Sequence, residues 1–291
     1  MAISNAAPRA RGAAPAVRSR IGLSPRALLG FYQAKFQNEI ANQFAYRGAI
    51  AIWLLALVSA PVISLVVWTT IARENGGSAG GITTGQYAAY FVAVMVVNNM
   101  TFTWIMWEME WRVKNGFFSP VLLRPMHPIH NDLVVNLTFK MMTLVAMLPI
   151  AVVLAVVFGA EFETTVWDAF AFVPVLIGAM ALRFLCEWTV SLAALWITRT
   201  VTLNQLYGTL TMFLAGMVAP LSLFPAPVRV IAFVLPFRWT VAFPADVLLG
   251  RADARDLLVG IGMQLVWIAI SLLAMREVWK RGVRRYSAVG A

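Results

Sequence analysis

Few side chains in this sequence have the type and spacing to do chemistry. His127 and His130 stand three apart in MHPIH, with Asp132 close behind. Imidazoles and carboxylates are metal-ligand types, but a metal site usually takes three or four protein ligands. Nothing else nearby completes the set, so the motif reads as a loop capping the following helix, and no metal is expected. Arg183 and Glu187 are spaced i,i+4 inside an apolar run. On a helix they share a face and can pair. Charge at membrane depth is costly, so the pair either ties helices together or lines a substrate path, and both readings stay open. Asn98 and Asn99, inside another apolar run, are placed to hydrogen-bond a neighbouring helix. The zincin HExxH, the nucleophile elbow GxSxG and the phosphate loop GxxxxGK[ST] do not occur. No catalytic residue is therefore assigned, and ATP hydrolysis through a phosphate loop of this chain is excluded.

Five further charges fall in one stretch, WEMEWRVKNGFFSPVLLRPMHP. Glu108 and Glu110 alternate with Arg112 and Lys114, which allows pairing within the stretch or with a partner. Gly116 permits a sharp turn. Phe117 and Phe118 read as exposed aromatics in search of a groove. Pro125 ends any short helix there, because the residue before proline, Arg124, avoids the helical region.

The elements that position these residues follow from composition. The chain is 60% hydrophobic and 12% charged, with a mean hydropathy of +0.76, whereas about a quarter of a soluble domain is charged. Such a chain buries its surface in lipid. The net charge of +10 is spread over segment ends and tails, the pattern expected beside anionic headgroups and not that of a nucleic-acid binder. One cysteine, Cys186, rules out an intrachain disulfide. A spanning helix needs about 20 apolar residues. That ruler predicts six spans, at 49–72, 86–107, 133–158, 167–197, 206–224 and 257–279.

Residues 1–23 read as a disordered tail without a signal-peptide core. Ser24 and Pro25 start a helix over 24–46, with Leu28, Tyr32, Phe36, Ile40 and Phe44 opposite Gln and Asn residues and a Lys35–Glu39 pair. It is too polar to span and belongs at the membrane surface. Between the fifth and sixth spans, Pro220, Pro225, Pro227, Pro236 and Pro244 break the apolar run, predicting short re-entrant pieces over 225–250 that pack on the bundle, with Arg229 and Arg238 snorkelling. Lys and Arg counts put both termini and the 108–132 loop in the cytoplasm, with a basic tail at 280–291. Arg229, Arg238, Arg251 and Arg255 run against that orientation, partly offset by Asp246, Asp253 and Asp256. The expected fold class is an all-α integral membrane protein.

Three features together resemble the membrane (permease) subunit of type-2 ABC exporters: the helix ending in FAYRG, the WEMEWRVKNGFFSPVLLRPMHP stretch, and the AGMVAPLSLFPAPVRVIAFVLPF pattern. The resemblance covers nearly all of the chain after about residue 24. The E-x-E-x-R-x-x-x-G…LLRP pattern is closest to a subgroup of bacterial viologen and multidrug exporter permeases, from which Val113-Lys114 departs where Ile-Arg is commoner. The resemblance implies a permease of the bacterial cytoplasmic membrane that pairs with a second permease, alike or related. Two copies of a separate ATPase would dock beneath it, and ATP and Mg would be bound by that partner. It also implies outward transport of a hydrophobic or amphiphilic substrate, with no enzyme activity or cofactor in this chain. The coupling role would fall on Glu108, Glu110, Arg112, Lys114, Gly116, Phe117, Arg124 and Pro125. The competing readings are an ion-coupled secondary transporter, which should show inverted repeats and helices broken at midplane, and a membrane enzyme, which should gather polar groups at one depth.

Overall fold

A computed structural model describes residues 25–197 and 199–286. The expected tail, Ser24, and the end of the basic tail lie outside them. The described chain is almost wholly helical. Helix α1 (Pro25–Ala45) leads into α2 (Arg47–Glu74), and a two-residue-per-strand hairpin, β1 (Ser78–Ala79) and β2 (Ile82–Thr83), turns the chain into α3 (Thr84–Thr101). After a non-helical break come α4 (Ile105–Lys114), α5 (Phe118–Leu122) and α6 (Pro128–Val157). Then follow α7 (Val166–Ser191), extended by a 3-10 turn over Leu192–Leu195, and α8 (Val201–Leu214). The short α9 (Ala226–Val234) and α10 (Ala242–Leu248) precede the long α11 (Ala254–Arg285).

Capping explains where the long helices start. Thr83 and Thr165 each accept from the backbone N–H three residues on, while Gln86 and Asp168 reach back to the cap N–H, two orphan donors satisfied at each terminus. Asp253 caps α11 in the same way from one side. His127 caps α6, its side chain accepting from the Ile129 N–H, with Pro128 in the first turn. That is the capping role its sequence suggested.

Five stretches are long and apolar enough to cross a membrane: Ile52–Glu74, Thr84–Lys114, Pro128–Val157, Val166–Leu195 and Ala254–Arg285. They match the expected first, second, third, fourth and sixth spans. The fifth expected span, 206–224, differs. Its helix, α8, has 14 residues, about 21 Å, and stops ahead of Gly216, whose φ of 75° ends the ladder. The chain then runs through a 3-10 turn over Leu221–Leu223 into α9. The expected loop 108–132 is also largely helical, through α4, α5 and the start of α6.

Cross-contacts fix the directions. Helices α3 and α6 are antiparallel: the Glu161 N–H donates to the Gly85 carbonyl at one end, and Thr143 and Lys140 meet Asn99 and Phe102 further along. Helices α7 and α11 run parallel, with Gly178 against Gln264, Cys186 beside Ser271, and Leu195 against Gly282. Helix α8 runs opposite to α3 and α4, from Thr200 beside Glu110, past Asn204 at Met106, to Gly216 at Tyr90. One end of the bundle thus gathers the β-hairpin, the acidic 159–165 loop and the start of α11. The other gathers α5, the end of α7 and the basic end of α11.

The broken segment after α8 packs on the bundle through its backbone. Trp68 donates to the Val218 carbonyl, Tyr90 to Gly216, Trp267 to Val234, and Gln264 to Trp239 while also holding Val175 of α7. Irregular backbone away from water requires such partners. Arg238 lies over the rings of Phe233 and Trp239, and Arg251 donates to the Gln86 carbonyl, so the arginines that ran against the orientation sit at the acidic-loop end.

Candidate functional site

The break between α3 and α4 is the centre of a buried polar cluster. Residues 102–104 leave the helical ladder without a proline or glycine among them. Phe102 turns to extended backbone, with ψ of 140°. A carbonyl freed inside a bundle must find a donor. The Phe102 carbonyl finds Lys140 Nζ of α6 at 2.6 Å and Asn136 Nδ2 at 3.4 Å, and Lys140 also donates to Asn136 Oδ1 at 2.7 Å. Helix α7 braces the same break. Arg183 donates through Nε to Glu187 Oε1 at 2.8 Å, and through Nη1 to Asn98 Oδ1 at 2.8 Å and Thr101 Oγ1 at 3.0 Å. Its guanidinium also lies 5.7 Å from the centre of the Phe102 ring. Thr103 Oγ1 donates to the other oxygen of Glu187. The pairing expected of Arg183 and Glu187 is therefore made, and its further bonds grip both sides of the break. Asn98 and Asn99 bond neighbouring helices as expected, Asn99 Oδ1 accepting from Thr143 of α6 at 2.9 Å.

A second set of charges continues the cluster toward the basic end. Arg112 donates to Glu108 Oε1 at 3.0 Å and to Asp132 Oδ1 at 2.7 Å, and Trp188 donates to Asp132 Oδ2 at 3.1 Å. Helices α4, α6 and α7 are thus joined through one carboxylate. Three acids, Glu108, Asp132 and Glu187, balance three bases, Arg112, Lys140 and Arg183. Balanced, hydrogen-bonded charge is the form in which ionic groups survive burial. Glu110 stands apart: it is buried and accepts from Thr200 Oγ1 at 2.7 Å, which fastens α4 to the start of α8.

Below this cluster, α4 ends in a turn at Gly116, where φ is 77°. Only glycine adopts that conformation readily, as its sequence position implied. Phe117 is half exposed and stacks on Trp111, rings 4.9 Å apart. Phe118 differs from expectation. It is fully buried against Trp279 and Tyr286, and Ser119 hydrogen-bonds the Tyr286 hydroxyl at 3.0 Å. Helix α5 is thereby anchored on the end of α11 and is no loose loop. Lys114, Leu123, Arg124 and Pro125 remain exposed, α5 having ended at Leu122. His127 packs between Trp188 and Trp279, and burial, then His130, push its imidazole below the ordinary value. Tyr32 of α1 hydrogen-bonds His130 at 2.7 Å. The Lys35–Glu39 pair forms on α1.

Lys140, Thr101, Thr103 and Trp188 were not singled out from sequence. A lysine inside an expected membrane span, on the 30-residue helix α6, was the signal available for the first. The two threonines and the tryptophan carry no pattern of their own.

A multi-pass helical bundle with a charged, broken second crossing and an exposed basic-end turn can be compared with known families. Residues 58–290 match the family model described as ABC-2 family transporter protein, about four-fifths of the chain. The chain belongs to the ABC-2 transporter family. No curated protein matches the sequence. This ABC-2 chain is a permease, a multi-pass membrane protein. Membership implies association with an ATPase partner and a dimeric arrangement.

Proposed function

We propose that the chain is the membrane subunit of an ATP-driven exporter, moving a hydrophobic or amphiphilic substrate outward, in the subgroup similar to viologen and multidrug permeases. ATP and Mg belong to two ATPase subunits on the cytoplasmic side, and this chain catalyses no reaction. The observation that carries the reading is the α4–α5 segment at the basic end. A helix carrying Glu108, Glu110, Arg112 and Lys114 hangs from a break in the second crossing and ends in the Gly116 turn, with Phe117, Arg124 and Pro125 exposed. Such a segment can take a push from below and pass it to α6, α7 and α8 through Asp132, Trp188 and Thr200. Two permease copies, alike or related, would enclose the substrate path, with Asn98, Asn99, Arg183 and Glu187 acting as supports of the broken helix.

Six crossings fit the chain directions. Helices α7 and α11 are parallel, so the chain returns once between them. Helix α8 makes that return and α9 and α10 complete it as re-entrant pieces. Both termini then lie on the basic side, which the positive-inside rule makes cytoplasmic and the family resemblance makes that of the bacterial inner membrane.

The helix broken among charges favours a second reading, an ion-coupled carrier. One experiment separates the two. In vesicles holding the permease and its cognate ATPase, ATP should drive transport, the permease alone should show no ATPase activity, and Glu108→Lys should insert normally yet stop transport. Transport by the permease alone on an ion gradient would establish the carrier instead.

A further inference from the structure

A cavity of about 530 Å³ lies between α1 and α2 on one side and α4 and α6 on the other, within the range of about 300–1,000 Å³ typical of small-molecule sites. Its lining changes character with depth. Glu108, Arg112 and Asp132 sit at one end, level with the second turn of α6; Trp53, Phe102 and Phe139 form the other. Asp132 and Phe139 are seven residues apart on α6, about 10 Å along the helix axis. The cavity therefore passes from charged to aromatic over about 10 Å, from the basic-side edge of the bundle inward. This is the polarity profile of one leaflet of a bilayer.

The charged end is itself selective. Arg112 uses Nε on Glu108 Oε1 and Nη1 on Asp132, while both Asp132 oxygens are occupied, by Arg112 and Trp188. Among the described residues, Arg112 Nη2 and Glu108 Oε2 hydrogen-bond no protein atom. One cationic donor and one anionic acceptor are left side by side, one helical turn apart. We propose that this cavity binds one phospholipid of the basic-side leaflet with a zwitterionic, primary-amine head of the phosphatidylethanolamine type. The phosphate meets Arg112, the ammonium donates to Glu108, and one acyl chain fills the aromatic end. A carboxylate acceptor favours an ammonium that carries N–H over a trimethylammonium, which has none to donate. A second copy of the chain fits less well, because both walls of the cavity are this chain's own helices. The inference concerns a resident lipid and stands whatever drives transport.

The test is native mass spectrometry of the delipidated full-length permease, titrated separately with phosphatidylethanolamine, phosphatidylcholine and phosphatidylglycerol. One phosphatidylethanolamine per chain should be retained about tenfold better than phosphatidylcholine, the ratio a single charge-assisted hydrogen bond supplies. Glu108→Gln should remove that preference. Phe139→Trp, which fills the aromatic end and leaves the charges in place, should weaken all phospholipids. Equal retention of phosphatidylcholine, or adducts indifferent to both substitutions, would overturn the assignment. So would displacement by glycerophosphoethanolamine, which carries the head without tails and would make this a site for a soluble zwitterion.

Discussion

Removing the carboxylate of Glu187 is the sharpest probe of the buried cluster. Arg183 and Glu187 side chains are 6% and 3% exposed. In Glu187→Met the guanidinium keeps only the neutral acceptors Asn98 and Thr101, and the Thr103 hydroxyl loses its acceptor. Stranding one member of a buried ion pair costs about 3–5 kcal/mol, against a total stability of about 5–15 kcal/mol for a typical domain. In Arg183→Met/Glu187→Met both charges go and apolar volume replaces them. What remains is the Thr103 hydroxyl, stranded in both variants, and Asn98 Oδ1, which loses its donor Arg183, a further loss of about 1–3 kcal/mol; Thr101 still donates to the Val97 carbonyl. The double variant should therefore be more stable than Glu187→Met by about 2 kcal/mol. Reversible unfolding in mixed detergent micelles would read the difference. If the double variant loses as much as its two single substitutions added together, or if Glu187→Met costs less than about 1 kcal/mol, the pair does not act as a unit.

Three further outcomes follow from the basic end. Gly116→Ala meets no atom within 4 Å of the added carbon but inherits φ of 77°, so it should lower stability by about 1–2 kcal/mol, whereas Gly116→Pro, whose ring fixes φ near −65°, should displace α5 and stop transport while leaving membrane insertion intact. The imidazole of His127 is held below its ordinary value of 6.5 by burial and His130, so the folded state binds fewer protons than the unfolded one; its contribution is complete above pH 6.5 and lost as pH falls below that value, and thermal midpoints of His127→Gln should fall less steeply there than those of the natural protein.

Hydropathy and capping made most of the bundle legible, because a long apolar run and a Thr-x-x-Gln or Thr-x-x-Asp start are local signals. The end of α8 was half legible: Pro220 and Pro225 announced a break, but Gly216 sets where it falls. The break at 102–104 was not legible at all. Its sequence, TFTW, holds no breaker residue, and the supports arrive from Lys140, 38 positions away, and Arg183, 82 positions away. Long-range satisfaction of one carbonyl decides the local backbone. Phe118 was misplaced for a related reason, since its burying partners, Trp279 and Tyr286, lie at the far end of the chain.

The interruption at 102–104 makes α4 a short arm of about 15 Å, pivoted at one end and carrying the Gly116 turn at its tip. A swing of about 10° would carry Lys114 through about 2.6 Å on that length, half a helical turn, with no need for α3 to move. The same swing pulls on the Arg112 link to Asp132 and on the Glu110 link to Thr200, one on either side of the arm. A small displacement at the membrane edge is thus divided between α6 and α8. The ratio of the two pulls is set by where along the arm Arg112 and Glu110 are attached.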